Sequence, residues 1–364
     1  MHEFTYNSTL EELFTPKIAS QLTKIHEGKG VLPIATVTGQ NTLEKLNEIA
    51  KTQSAGASSR IEGVKITEKH LRELVDKKVR DLNENDRAVL GYRYVLETVD
   101  QTYNILRVSP AIILQLHDDM FRYMSDVKTA GKWRGGDRVL AMQYGESSIV
   151  PEEGPKRFHG VRTDSVSPSE IPAKMRELCN AYSSAIREDV YSPLLISILF
   201  MLDFICIFPF EIGTGRMARL VFLLMLNKND FTIGRYISLD AEIERTKDEY
   251  FAAIKASAKG WADNKNNYFP FVEYMLGVVG NCYGQLTGRT SALSVRGSNE
   301  KTIRRYFQTI ESPVSKIEIL EANPTMSQKT LERILQKMQK EGSIERVGAA
   351  RATKYQRIVH EIPL

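Results

Sequence analysis

The chain has 364 residues, of which 42% are hydrophobic and 26% charged, and its formal net charge at pH 7 is +4. This composition excludes a disordered, collagen-like or disulfide-rich chain, and the length predicts more than one domain. The three cysteines are widely spaced without any CxxC pair, so they indicate neither a disulfide framework nor a zinc site and favour a reducing compartment.

Amphipathic helices are predicted in the N-terminal part of the chain. Leu43, Leu46 and Ile49 recur at helical spacing, a further helix starts at Thr67, and two more follow before a break in the pattern. The start of the chain lacks the basic segment and apolar core of a secretory signal, so we expect a cytoplasmic protein.

The helical periodicity disappears between Trp133 and Ser169, where Gly, Ser and Pro accumulate. This segment is therefore predicted to be a loop or an irregular hairpin. Helices resume at Pro172 and continue to about Gly280, and the composition of residues 283–300 is typical of a linker.

The longest apolar run, Leu194 to Phe210, nearly reaches the length that spans a membrane. It carries Asp203 and Pro209, and polar segments lie on both sides. We interpret it as a buried central helix and expect no membrane partner.

A Gly-rich turn follows this run, and residues 207–219 read IFPFEIGTGRMAR. The free N–H groups of a helix's first turn carry partial positive charge, and neighbouring glycines let a phosphate approach them. By composition alone the same turn is also typical of two buried helices with solvated arginines. The candidate phosphate-binding residues are Gly213, Thr214, Gly215, Arg216 and Arg219.

This segment resembles the motif of the Fic family, H-P-F-x-[D/E]-G-N-G-R-x-x-R, whose typical reaction transfers AMP from ATP to a protein hydroxyl. The similarity covers roughly residues 1–280. It includes LHDDMF at 116–121, AGKWR at 130–134, YISLD at 236–240 and NNYFPF at 266–271. The resemblance implies a mainly α fold, a Fic-type helical bundle with a small β-hairpin flap, and ATP or another nucleotide as cofactor.

Residues 58–63, SSRIEG, are similar to the [S/T]xxxE[G/N] motif of family members with an autoinhibitory helix ahead of the Fic core. The resemblance implies that Glu62 pairs with Arg219 and keeps ATP from binding productively. A carboxylate and a phosphate compete for the same guanidinium, so such inhibition is physically sensible. The alternative is that Ser58 and Glu62 lie one turn apart on a solvated helix face.

Three positions depart from the family motif. Phe208 replaces the histidine and cannot accept a proton, and Ile212 replaces the acidic metal ligand, so Mg²⁺ binding is not expected. Glu211 is the nearest substitute, although neighbouring side chains in a tight turn point in different directions. Thr214 replaces the asparagine and loses the reach of its amide. We expect nucleotide or anion binding with impaired AMP transfer; the alternative is an active transferase that uses substitute residues.

Residues 147–160 correspond to the family's flap, which holds the backbone of a target protein by strand-like pairing. The resemblance therefore implies that an unknown target protein docks there. His159 lies in this segment and is either a substitute catalytic group or an exposed loop histidine. His117 lies in a periodic helix, which favours a structural role.

The region 301–364 predicts two helices in helix-turn-helix order and then two strands, which is typical of a winged helix. It carries 12 Lys/Arg and 7 Asp/Glu, a net charge of +5. This excess favours DNA contact, as in a transcriptional regulator, but winged helices also serve in protein docking or homodimer formation. The candidate DNA contacts are Lys329, Arg333, Lys337, Arg351 and Lys354.

The sequence thus predicts four regions. They are an N-terminal helical region at 1–100 with the inhibitory helix near 41–63, a Fic core at 101–282, a linker at 283–300 and a winged-helix domain at 301–364.

Overall fold

The computed structural model describes residues 2–38, 40–136, 166–294, 299–310, 312–324, 326–348 and 353–358. Most of these residues are helical, which confirms the predicted mainly α fold. From the N-terminus the helices are α1 (Tyr6–Leu13), α2 (Pro16–Thr38), α3 (Gln40–Ile61), α4 (Glu68–Val75), α5 (Glu84–Thr102) and α6 (Pro110–Met120).

The next helices are α7 (Ile171–Glu188), α8 (Pro193–Ile207), α9 (Thr214–Lys228), α10 (Leu239–Arg245), α11 (Lys247–Ala258) and α12 (Phe269–Ser294). Two short 3-10 helices lie at Thr232–Arg235 and Trp261–Asp263. The C-terminal elements are α13 (Asn299–Thr309), α14 (Lys316–Ala322), α15 (Gln328–Lys340), β1 (Ile344–Val347) and β2 (Lys354–Arg357).

Side-chain caps fix several helix starts. The Thr67 side chain accepts a hydrogen bond from the His70 amide at the start of α4, and Asn83 and Asp86 form a capping box at the start of α5. Such caps satisfy amides that have no partner within the helix. These local signals explain why short helices begin where they do.

Helix α8 lies at the centre of the larger core. Every residue from Leu194 to Ile207 is buried, and the helix packs against α7, α9 and α12. Its 15 residues span about 23 Å, less than the roughly 30 Å hydrocarbon core of a bilayer. Over the described part of the chain, no helix combines the length and apolarity needed to cross a membrane.

Helix α3 contains most of the inhibitory helix predicted near 41–63, and it packs against α5 and α10. Its C-terminal end is fixed by Arg60, whose guanidinium donates to both carboxylate oxygens of Glu244 at 2.5 and 2.9 Å. A bidentate pair of this kind restrains orientation as well as distance. The end of α3 is therefore held firmly beside α10.

Helix α12 extends to Ser294 and so enters the segment 283–300 that was predicted as a linker. It packs against α2. Gly28 of α2 permits the close approach, since a Cβ there would lie 2.7 Å from the Cβ of Tyr283. The buried hydrophobic residues form two clusters, one that ends at Leu286 and one that begins at Ile303.

Helices α13 to α15 and a hairpin surround the smaller core. Strands β1 and β2 are antiparallel, with Ile344 opposite Arg357, and Val314 forms an additional bridge with Tyr355. The buried side of α15 consists of Leu331, Ile334, Leu335 and Met338. This order of helices and strands agrees with the predicted one, and the winged-helix assignment stays a prediction.

Candidate functional site

The motif loop, residues 208–213, joins the end of α8 to the start of α9. Phe208 ends α8 in the left-handed region, with φ of 51°, and Gly213 precedes α9 with φ of 78°. Gly213, the N-cap residue of α9, has no side chain that could accept a hydrogen bond from the first turn. The positive end of this 15-residue helix therefore faces the loop without a cap from its own N-cap residue.

Buried Arg134 fixes the first half of the motif loop. Its Nε donates to the Phe208 carbonyl at 2.7 Å, and its amide donates to the Pro209 carbonyl at 2.9 Å. Its Nη1 donates to the Gly136 carbonyl at 2.9 Å, and its Nη2 donates to the Val166 carbonyl. Arg134 thus connects the motif loop to Gly136 and Val166.

His117 fixes the second half of the loop. The Gly131 amide donates to its Nδ1 at 3.0 Å, so the proton is on Nε2, which donates to the Ile212 carbonyl at 3.0 Å. The ring also stacks on Phe210, with 3.7 Å between centroids. Burial lowers the pKa of His117 to about 4, so the ring is neutral at pH 7. This geometry agrees with the predicted structural role.

The side chains of Thr214 and Ile212 make contacts within the protein, unlike the roles that the Fic motif gives to the residues at these positions. The Thr214 hydroxyl lies 3.2 Å from both the carbonyl and the amide of Phe210, so it serves the loop and not a phosphate. Ile212 packs, partly buried, against the hydrophobic core. Among the described residues, no group of three or more His, Cys, Asp or Glu side chains could hold a metal ion. The apolar side chain of Ile212 itself supplies no oxygen ligand for Mg²⁺.

Arg219 is buried, and its bonds are directed at α3 and α10. Its Nε donates to the Ser58 hydroxyl at 2.9 Å and to Asp240 at 3.2 Å, and its Nη2 donates to the Ser58 carbonyl at 3.0 Å and to Glu62 at 2.9 Å. Burial opposes its charge, yet its pKa is raised because Glu62, Tyr250 and Asp240 outweigh that penalty.

Glu62 links two helix ends of opposite polarity. It follows α3, where the helix dipole disfavours a carboxylate, and it lies against the first turn of α9, where the dipole favours one. A Cβ added to Gly215 would collide with its Oε1. Ser58 is fully buried, so the solvated-face interpretation of this motif is wrong.

Arg216 lies on α9 one turn before Arg219, and its hydrogen bonding differs from that of Arg219. It is 7% exposed, and its Nε and Nη1 have no hydrogen-bond partner among the described residues. Burial lowers the pKa of Arg216, and the charge of Arg219 lowers it further, while Glu62 raises it. A buried cation with open donors is costly unless an anion completes it.

Some predicted site residues lie outside the described residues: the flap 147–160 with His159, and Arg351. Elsewhere in the C-terminal region, Lys329, Arg333 and Lys354 are exposed. Lys337 is exposed as well, but its Nζ pairs with Glu300 at 2.7 Å, so it is not a free phosphate contact.

Sequence reasoning missed the roles of Arg134 and Asp240. Both lie in segments that resemble the Fic family, AGKWR and YISLD, and neither segment has a periodicity that indicates a buried polar residue. A charged residue within a segment shared with a family is the one signal that could have suggested them.

The site and the fold define a Fic-type helical domain. Residues 107–226 match the sequence model of the Fic/DOC family, so the chain carries a Fic domain. No curated protein matches the chain.

Solved structures of Fic proteins resemble this fold over 76% to 96% of the chain. A Fic family protein from Desulfovibrio desulfuricans has 19% identity and a TM-score of 0.60, covering 96% of this chain and 98% of its own. A Fic domain containing signalling protein from Bacteroides thetaiotaomicron has 18% identity and a TM-score of 0.57, with coverage of 77% and 100%. Fic-1 from C. elegans has 16% identity and a TM-score of 0.55, with coverage of 76% and 74%.

Proposed function

We propose that this protein binds the phosphates of ATP or another nucleotide at the first turn of α9, that Glu62 competes with those phosphates, and that AMP transfer is impaired. The open Nε and Nη1 of buried Arg216 carry this proposal. Buried guanidinium donors without hydrogen-bond partners destabilise the fold, and an anion that accepts their hydrogen bonds would remove that cost.

The position of Glu62 supports competition with a phosphate. Its carboxylate already occupies Arg219 and lies against Gly215 at the positive end of α9. Two anions at one such site repel each other, so phosphate binding and the observed position of Glu62 exclude one another.

Impaired transfer follows from the side chains of the motif loop. Fic-domain proteins are known as AMPylation-type transferases, and Phe208 leaves this loop without a general base at the position of the family histidine. Such a base contributes about 10²- to 10⁴-fold in rate, and a metal contributes several kcal/mol more. The buried His117 is neutral, but both of its ring nitrogens are already bonded, so it does not replace that base.

Calorimetric titration with ATP, and separately with pyrophosphate, tests the binding site. We expect Glu62→Gly to tighten ATP binding about ten- to hundred-fold, because one charge-assisted competitor is removed. Glu62→Gln, which keeps the shape without the charge, should have a smaller effect. Adding Arg216→Met to Glu62→Gly should weaken binding again. Absence of ATP and pyrophosphate binding to Glu62→Gly would refute the site.

Label transfer from α-³²P-ATP with Mg²⁺ to the protein and to cell extract tests the impairment. We expect no label with the natural sequence or with Glu62→Gly. Label should appear when Glu62→Gly also carries Phe208→His, Ile212→Asp and Thr214→Asn. Label with Glu62→Gly alone would favour the alternative, an active transferase that uses substitute groups.

A second candidate function is DNA binding by the C-terminal region, favoured by the exposed side chains of Lys329 and Arg333 on α15. Fluorescence anisotropy with a labelled random duplex measures it. Replacing either residue by Ala should weaken binding and reduce the salt dependence by about one phosphate contact. Lys316→Ala is the matched control, because Lys316 already pairs with Glu332. Equal losses in all three variants would exclude α15 as the contact surface.

A further inference from the structure

The carboxylate of Glu321 connects the C-terminal region to the helices beside the candidate site. Glu321, near the end of α14, accepts a hydrogen bond from Gln53 of α3 at 2.8 Å and one from Arg72 of α4 at 2.5 Å. Glu321 is 20% exposed and Arg72 is 39% exposed, so the contact is partly shielded from water. It joins segments that are far apart in sequence.

The two helices held by Glu321 are the two that flank Glu62. Helix α3 ends at Ile61, a tight turn with Gly63 at φ of 90° follows, and α4 begins at Glu68. The amides of Glu62 and Val64 both donate to the Ser59 carbonyl, at 3.1 and 3.0 Å, so the turn is an extension of α3. Holding α3 and α4 together therefore also holds the turn that carries Glu62.

Glu321 is fixed within the C-terminal region. Ser315 and Glu318 form a capping box at the start of α14, and Ile319 is fully buried in the smaller core. Past the end of the helix, the buried side chain of Asn323 donates to the Ile319 carbonyl at 2.8 Å. Glu321 therefore moves with α14, and α14 packs on α15.

We propose that the C-terminal region, through Glu321, stabilises the position of α3 in which Glu62 occupies Arg219, and so regulates access of anions to the site. Movement of α3 that withdraws Glu62 also carries Gln53 away from Glu321, because both residues belong to one continuous helical segment. The contact is present in the closed state and lost in the open one, so it shifts the equilibrium between them. This regulation rests on the proposed function, since it requires Glu62 and phosphate to exclude each other.

The expected effect is modest. Partly exposed ion pairs and their hydrogen bonds contribute little free energy. We therefore expect their loss to change the equilibrium constant between the closed and open states by about two- to five-fold. Coupling of this size is within the range of known allosteric effects. Loss of the contact should therefore tighten ATP binding by that factor, without any change in the residues that touch ATP.

Calorimetric titration of the full chain with ATP tests the coupling. Glu321→Ala should lower the Kd about two- to five-fold in the natural sequence and leave it unchanged in a Glu62→Gly background. Gln53→Ala removes part of the same contact from the other side and should act in the same direction. Glu332→Ala, which removes a carboxylate paired inside the C-terminal region, is the matched control and should have no effect.

The outcomes separate this inference from the proposed function. If Glu62→Gly tightens ATP binding but Glu321→Ala and Gln53→Ala do not, the coupling is refuted and the site stands. If Glu321→Ala tightens binding equally with and without Glu62, the effect bypasses Glu62 and the coupling is also refuted. If Glu62→Gly has no effect, the proposed competition fails and the coupling fails with it.

Hydrogen exchange gives an independent measure of the same contact. Peptides that cover residues 55–66 should exchange faster in Glu321→Ala than in Glu332→Ala, because the end of α3 leaves its position more often. Equal exchange in the two variants would contradict the proposal even if ATP affinity changed.

Discussion

Asp203 on α8 and Arg216 on α9 are both buried charged residues, but their surroundings are opposite. Asp203 accepts hydrogen bonds from Tyr6 Oη at 2.9 Å, Trp261 Nε1 at 2.7 Å and Tyr268 Oη at 2.6 Å. Arg216 has two donors without a partner among the described residues. Saturated hydrogen bonding makes the first group structural, and open donors make the second a candidate for a ligand.

The Asp203 cluster joins the N-terminal segment to the main core. His2 stacks on Trp261 with 4.2 Å between ring centroids, and its Nε2 lies 3.4 Å from Asp203. The backbone carbonyl of His2 also accepts a hydrogen bond from Lys174 at 3.0 Å. The hydrogen bonds of the Asp203 cluster contribute to stability, whereas the open donors of Arg216 lower it.

The largest expected effect comes from breaking the saturated cluster. Asp203→Ala leaves the buried donors on Tyr6 and Trp261 without an acceptor and removes one of the two partners of the Tyr268 hydroxyl, which also lies 3.2 Å from His2 Nε2. The free energy of unfolding should therefore fall by about 3–5 kcal/mol. Urea denaturation measures it, and Asp263→Ala, at an exposed position, is the control. A loss below about 1 kcal/mol would contradict the structural role of the cluster.

The next largest effect is the loss of folding stability at low pH through protonation of His117, which holds the motif loop. His117 has a pKa of about 4 in the folded chain against about 6.5 when unfolded, so the unfolded state binds more protons between these values. The contribution of the neutral His117 ring to the free energy of unfolding is therefore fully present above about pH 6.5. It is lost as the pH falls towards 4, by up to about 3 kcal/mol.

His117→Gln should abolish this part of the pH dependence, because its side chain does not titrate. Urea denaturation at pH 8 and pH 5 measures the difference between the two proteins. If both proteins lose the same stability between pH 8 and pH 5, His117 does not titrate as a buried neutral ring.

A smaller effect separates the two kinds of buried charge. Arg216→Met replaces a buried cation that has two open donors by an apolar side chain of similar length, so stability should stay unchanged or rise by about 1–2 kcal/mol. Denaturation in urea measures this without any nucleotide. The matched change Arg219→Met should destabilise, because it leaves Glu62 and Asp240 unpaired. A clear loss with Arg216→Met would mean that Arg216 is structural as well.

The smallest effect concerns the backbone of the motif loop. Phe208 is in the left-handed region, which histidine and asparagine tolerate better than most other residues. Phe208→His should therefore raise stability by about 0.5 kcal/mol. Phe210→His, at a buried position in the same loop that stacks on His117, should lower it. Urea denaturation of the two variants compares them, and destabilisation by Phe208→His would show that its packing outweighs its backbone strain.

The helical fold and most helix positions were predictable, because periodicity and caps act locally. Thr67, Leu43 and Leu46 marked α4 and α3, and the run from Leu194 marked the buried α8. The extent of α12 to Ser294 was not predicted, because the glycines of this segment have low helix propensity.

The sequence by itself determined the helical class, the Gly-rich turn before α9, and the presence of Phe208 and Ile212 in that turn, side chains that neither accept a proton nor ligate a metal. These follow from the chemistry of single side chains and from local backbone preferences. Only the tertiary structure decided that Glu62 meets Arg219, that Arg216 is left with open donors, and that Glu321 holds the helices beside Glu62. Those contacts join residues far apart in the chain, and their hydrogen bonds depend on how whole helices pack.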